Sequence, residues 1–313
     1  VAYCLAALRD RSAAGNGYRS GVAHDPGRRI HRAAGINVVQ FCAVSDVYRF
    51  HEGDSPLLIS VPHDGRKLPE DIEAAMTPAG RALPDTDWHV ARLYDFARAL
   101  GASILVAEYS RYVVDLNRPP GDETLYPGQL KTGICPVETF AGEELYENSL
   151  AVDRDEREQR EQSYWRPYHD KLRASLDDLR KRHGVALLWD AHSIPSRVPR
   201  LFDGELPVLN IGTNDGRSCP QAVEDAVAGV ARDSSYSTVT NARFRGGYIT
   251  RHYGDPDAGC YAVQLEMAQR CYMDENTLRY EPTLADAAIA TLRRMLEVYT
   301  SVGRSSSGGA PAT

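Results

Sequence analysis

Short apolar runs alternate with stretches of helical periodicity along most of this chain, and that alternation restricts its fold more than any other feature. The runs Leu57–Val61, Ser103–Ala107, Val113–Leu116, Val185–Trp189, Pro207–Ile211, Tyr248–Arg251 and Tyr261–Leu265 have the length and β-branched content of strands. Among the helical stretches, Trp88–Leu100 keeps Val90, Leu93, Ala97 and Leu100 on one face and closes at Gly101. Asp153–His183 carries Tyr168, Leu172, Leu176 and Leu179 on one stripe, and Pro167 is predicted to kink or split it. Thr283–Thr300 holds Leu284, Ala288, Leu292, Met295 and Tyr299 in register. Strands that alternate with helices predict an α/β protein: a single central mixed, largely parallel sheet flanked by helices.

The ends read differently. Residues 1–43 hold six Arg and two Asp but no Lys or Glu, and no period persists through them. They are expected to form a disordered N-terminal extension, with the folded domain over 44–303 and a flexible Gly/Ser-type tail over 304–313. The 313 residues carry 36 Lys+Arg against 43 Asp+Glu, a net charge of −7, which argues against a general nucleic-acid binder. No apolar stretch approaches the roughly 18–20 residues that cross a bilayer, so no membrane partner is expected. The six cysteines include no C-x-x-C pair, and the start has no basic n-region ahead of an apolar core. Reduced thiols in a cytoplasmic protein are the expectation.

In an open α/β sheet, ligands gather beyond the carboxyl ends of the strands. Three runs end there with unusual polarity. Leu57–Val61 leads through Pro62 to His63, Asp64 and Gly65. Val185–Trp189 continues into Asp190 and His192, which alternation puts on one side. Tyr261–Leu265 reaches Gln264 and Glu266 on a face opposite Val263 and Leu265. Two strand-end histidines with carboxylates suit a catalytic divalent metal with an open water position, and a free carboxylate could take the water's proton. A fourth cluster, Arg111–Pro120, leaves Asn117 and Arg118 where two prolines force an extended path. The planar fork of Arg118 matches a carboxylate. Arg197, Arg251 and His252 are further basic candidates near presumed loops.

Six segments together resemble the N-formylglutamate amidohydrolase (N-formylglutamate deformylase) family. They are Ser60-Val-Pro-His-Asp-Gly65, Val114-Asp-Leu-Asn-Arg-Pro-Pro120, Trp189-Asp-Ala-His-Ser193 continuing to Arg197, Asn210-Ile-Gly-Thr-Asn-Asp-Gly216, Gly246-Gly-Tyr-Ile-Thr-Arg-His-Tyr-Gly254 and Ala262-Val-Gln-Leu-Glu-Met267. The resemblance implies hydrolysis of N-formyl-L-glutamate to formate and L-glutamate, a step of histidine degradation. It implies a zinc-exopeptidase-like (phosphorylase/hydrolase-like) fold and a Zn2+ cofactor. Carried over, His63 and His192 would be the outer metal ligands and Glu266 the catalytic base. Asp87 is the middle ligand by the same transfer, although an Asp just before Trp88–Leu100 could equally be a helix cap. Asn117 and Arg118 would bind a substrate carboxylate, with Arg197 or Arg251 for the second. The competing expectations are a zinc amidase or carboxypeptidase-like hydrolase of another N-acyl amino acid or peptide, and a non-catalytic metal- or anion-binding relative. Oligomeric state is left open by the sequence.

Overall fold

A computed structural model describes residues 46–121, 133–147 and 152–306. In chain order its elements are β1 (Tyr48–His51), β2 (Leu57–Val61), α1 (Glu70–Ala75), α2 (Pro78–Arg81), α3 (Val90–Leu93) with a 3-10 continuation over Asp95–Leu100, and β3 (Ser103–Ala107). Then follow α4 (Arg154–Arg160), a π turn over Glu161–Trp165, α5 (Arg166–His183), β4 (Ala186–Ile194), β5 (Leu209–Gly212), α6 (Gln221–Arg232) and β6 (Thr238–Thr240). The chain continues through α7 (Tyr248–Tyr253), β7 (Cys260–Ala268), the small ribbon β8 (Met273–Asp274) and β9 (Arg279–Tyr280), and α8 (Pro282–Ser306).

Seven of the described strands form one mixed sheet in the order β1-β3-β2-β4-β7-β5-β6. The central four, β3, β2, β4 and β7, are parallel, while β1 and the β5–β6 pair run the other way. Parallel strands covered on both faces should read as continuous apolar runs, and β2, β3 and β4 are buried along their whole lengths. Two apolar layers cover the sheet. On one side α3, α6 and α8 pack with Leu57, Ile59, Leu187, Trp189 and Val263; on the other, α5 and α7 pack with Leu58, Leu105, Leu188 and Ala262. The alternation of neighbours such as Leu187 and Leu188 between these layers is the two-residue period of a strand. Among the described residues no helix is long and apolar enough to cross a membrane.

Two expected strands take other forms. Val113–Leu116 is a turn-rich loop that pairs with no strand among the described residues, and its polar groups bond to Ser110, Ile134 and side chains of α4 and α5 instead. Tyr248–Arg251 lies in the helix α7, which buries Ile249, Thr250 and Tyr253 between Gly247 and Gly254. The expected helix Trp88–Leu100 divides into α3 and its 3-10 continuation, ending at Gly101 with φ +70°. The Asp153–His183 stretch is split as Pro167 suggests: the π turn falls immediately before α5, so the ring and the missing N–H sit in the first helical turn. α8 runs through Ser306, three residues into the stretch read as a tail; residues 1–43 and 307–313 lie outside the described residues.

Candidate metal centre and active site

The carboxyl ends of β2, β4 and β7 converge on one polar pocket. The β4–β7 register pairs Asp190 with Gln264 and His192 with Glu266, so a period-two pattern in each strand delivers four polar side chains to neighbouring positions. His63 follows β2, and its carbonyl accepts the Asp87 backbone N–H at 3.0 Å, which draws the Thr86–Trp88 loop against the strand end. His63, Asp87 and His192 are each no more than 2% exposed, and their ligand atoms lie within 4.8 Å of one another.

Each histidine has one nitrogen turned to this centre and the other held from outside. Asp87 Oδ2 lies 3.1 Å from His192 Nδ1 and 3.7 Å from His63 Nδ1. On the far side, His63 Nε2 is 2.8 Å from Asp115 Oδ1, and Arg111 Nη2 donates to the other oxygen of Asp115 at 2.9 Å. His192 Nε2 accepts from the Asn117 side-chain amide at 3.0 Å and lies 3.2 Å from Asp190 Oδ1, outside hydrogen-bond geometry. The neutral ring therefore carries its proton on Nδ1, toward Asp87. Burial opposes charge on His192, yet Asp190 and Asp87 hold its pKa well above the ordinary histidine value. Burial likewise opposes charge on Asp87, and the two histidines outweigh it and push its pKa down.

The buried His63 Nδ1, Asp87 Oδ1 and Asp190 Oδ1 have no hydrogen-bond partner. Such groups are costly to leave unpaired. Two imidazole nitrogens and a carboxylate oxygen converge on one point, with carboxylates behind the imidazoles, which is the donor set and outer support of a divalent-cation site. The residues present fit a metal ion.

Asp87 does not cap the helix that follows it. Its Oδ2 accepts the Ser193 backbone N–H at 3.1 Å, across from β4. The cap is supplied by Asp64, whose two oxygens accept the backbone N–H groups of His89 and Ala91 at 3.1 and 3.0 Å. Burial pushes the Asp64 carboxyl up to about 6.

The pocket walls include Glu266, Gln264, Arg111, Asn117, Arg118 and Arg243, together with the rings of Phe140 and Phe244. Glu266 is 8% exposed, and burial pushes its carboxyl up to about 8. Gln264 accepts the Gly247 backbone N–H at 2.6 Å, tying the loop before α7 to β7. Burial also opposes charge on Arg111, but Asp115 and Asp87 hold that guanidinium firmly protonated.

Comparison with known proteins bears on this arrangement directly. The family model described as N-formylglutamate amidohydrolase matches residues 55–273, which contain every residue of the pocket. The chain belongs to this family. It is 49% identical to an N-formylglutamate deformylase of Pseudomonas putida over 259 residues, covering 82% of this chain and 97% of that protein. It is also 49% identical to an N-formylglutamate deformylase of Pseudomonas aeruginosa over 263 residues, 83% of this chain and 98% of that one. In fold it is similar to the crystal structure of N-formylglutamate amidohydrolase from Ralstonia eutropha JMP134, with a TM-score of 0.69, 24% identity, and coverage of 84% and 99%.

Among the site residues expected from the sequence, the structure brings His63, Asp87, His192, Asn117, Arg118 and Glu266 to this family member's pocket. It does not bring Arg197 or Arg251 there. Arg197 is exposed and paired with Glu205 at 2.7 Å, and Arg251 Nε donates to the Gly246 carbonyl at 2.7 Å. Arg111 and Arg243 stand in the walls instead. Arg111 precedes Asp115 by four residues, and that pairing was the available signal; nothing local marks Arg243.

Proposed function

We propose that this family member hydrolyses the formyl C–N amide of N-formyl-L-glutamate, giving formate and L-glutamate. The observation that carries the reading is the buried His63–Asp87–His192 trio with Glu266 beside it, in a pocket that also presents three arginines. His63, Asp87 and His192 would hold Zn2+, whose preference for mixed nitrogen and oxygen donors suits this set. When bound, the cation supplies Lewis-acid polarisation of the amide carbonyl and acidification of water.

The protein's own residues supply the rest. Asp115 and Asp190 orient the histidine rings from behind. Glu266 takes a proton as water adds to the formyl carbon, then delivers it to the nitrogen as the C–N bond breaks. A carboxyl whose affinity for protons is raised by burial is better suited to that shuttle than an ordinary glutamate, and a neighbouring cation lowers it back toward the range of a working base. Arg118 with Asn117 holds one carboxylate of the substrate. Arg243 replaces Arg197 and Arg251 as our choice for the second.

The free thiols Cys135, Cys219, Cys260 and Cys271 suit a reducing cytoplasm, where this step of histidine degradation would take place. Zinc-loaded protein should release formate from N-formyl-L-glutamate and stop when a chelator removes the metal. Absence of formate release from metal-loaded protein would overturn the assignment. Glu266→Gln should keep its zinc and lose about 10³-fold in kcat; substantial residual turnover would remove Glu266 as the base.

A further inference from the structure

The helical run from α4 to α5 reaches the site without touching the pocket. Arg160, Trp165 and His169 are buried, and each donates to a main-chain carbonyl of the loop spanning 112–118. Arg160 Nη1 lies 3.4 Å from the Tyr112 carbonyl and 3.3 Å from that of Val113. Trp165 Nε1 donates to the Arg118 carbonyl at 3.0 Å, and His169 Nε2 lies 2.9 Å from the Leu116 carbonyl. A carbonyl only accepts, so His169 carries its proton on Nε2 and presents Nδ1 to the Tyr253 hydroxyl, 3.0 Å away, which also lies 3.2 Å from the His169 carbonyl. The Trp165 and His169 rings stack with centroids 3.7 Å apart. None of the three lines the pocket, but the loop they hold carries Asp115, Asn117 and Arg118.

Their spacing does not fit a continuous α-helix. At about 100° per residue, positions nine apart such as 160 and 169 fall on opposite sides. The π turn over Glu161–Trp165 accommodates one extra residue and brings the offset down to about 80°. It turns Arg160 and His169 toward the same loop.

We propose that Arg160, Trp165 and His169 are positioning residues, phased by the π turn to fix the 112–118 loop so that Asn117 and Arg118 meet the substrate carboxylate. The proposal rests on the deformylase reading above.

Trp165→Phe keeps an aromatic ring against His169 and removes the Nε1 donor together with the rest of the five-membered ring. It should raise KM for N-formyl-L-glutamate about tenfold, the usual worth of one buried hydrogen bond, with kcat and zinc content unchanged. The decisive arm is Arg118→Ala. If Trp165 acts through Arg118, adding Trp165→Phe to Arg118→Ala should leave kcat/KM where Arg118→Ala put it. A general packing role would instead multiply the two losses and overturn the proposal, as would an unchanged KM in Trp165→Phe. Should that variant not fold, His169→Gln and His169→Leu take its place. Gln, which keeps an amide donor, should retain a lower KM than Leu, and equal KM values would overturn the proposal. Wild-type protein without formate release would fail the deformylase reading instead, so the two failures are distinguishable.

Discussion

His192 and His169 are buried to nearly the same depth, 2% and 3% exposed, yet their imidazoles are driven in opposite directions. Around His192, Asp190 and Asp87 overcome burial and favour positive charge. Around His169, burial dominates and, with the nearby His252 and Arg173, outweighs the Leu116 carbonyl and pushes the pKa down to about 3. Burial alone therefore says little about what a histidine does. Carboxylates around the first create a place for a cation; neutral partners around the second make a fixed donor for a loop.

The contrast can be broken at either end. The largest effect is expected from His192→Ala, which should abolish zinc retention and bring formate release to background, measured by metal analysis and a formate assay. His169→Ala should keep zinc stoichiometry but cost about 3 kcal/mol of stability in denaturant unfolding, since it leaves the Leu116 carbonyl unpaired and a cavity behind. Asp190→Asn should weaken zinc binding about 10- to 100-fold in a competition titration while saturating zinc restores most turnover. The smallest effect is a difference in pH dependence. His169 stays neutral in the fold down to about pH 3, whereas the unfolded chain takes up its proton below about 6.5. Stability from this group is complete above the unfolded value and is lost as pH falls toward the folded one. Relative to His169→Gln, the wild-type protein should lose about 2 kcal/mol between pH 7 and pH 5. A constant difference across that range would show that the fold does not lower the His169 pKa.

Much of the fold was legible because packing writes itself into periodicity. Leu57–Val61 and Ser103–Ala107 are strands with the bounds read from the sequence, and β4 and β7 extend the runs that announced them. Their exits gave His63, His192 and Glu266. The rest depends on distant partners. β1 is short and only partly buried, and it gains its place by pairing antiparallel with β3. Val113–Leu116 and Tyr248–Arg251 have the composition of strands, but the first meets side chains of α4 and α5 and the second closes into a helix between glycines. The sequence reads Asp87 as ligand or cap; the backbone N–H groups of His89 and Ala91 bond to Asp64, a residue distant in sequence. Arg197 and Arg251 looked no different in the sequence from Arg243; a partner at Glu205 and a carbonyl at Gly246 direct them elsewhere.

The β4–β7 register carries a consequence for how such a protein can change. His192 and Glu266 stand side by side in adjacent hydrogen-bonded strands, so their separation is set by the sheet spacing of about 4.8 Å. Phe140, Arg243 and Phe244 stand outside those strands, in loop segments. Drift or grafting in those segments can reshape what enters the pocket without retuning the distance between the histidine and the carboxylate. If His192 and Glu266 act as proposed, the chemistry would be inherited with the sheet, and selectivity would be left free to evolve at its edge.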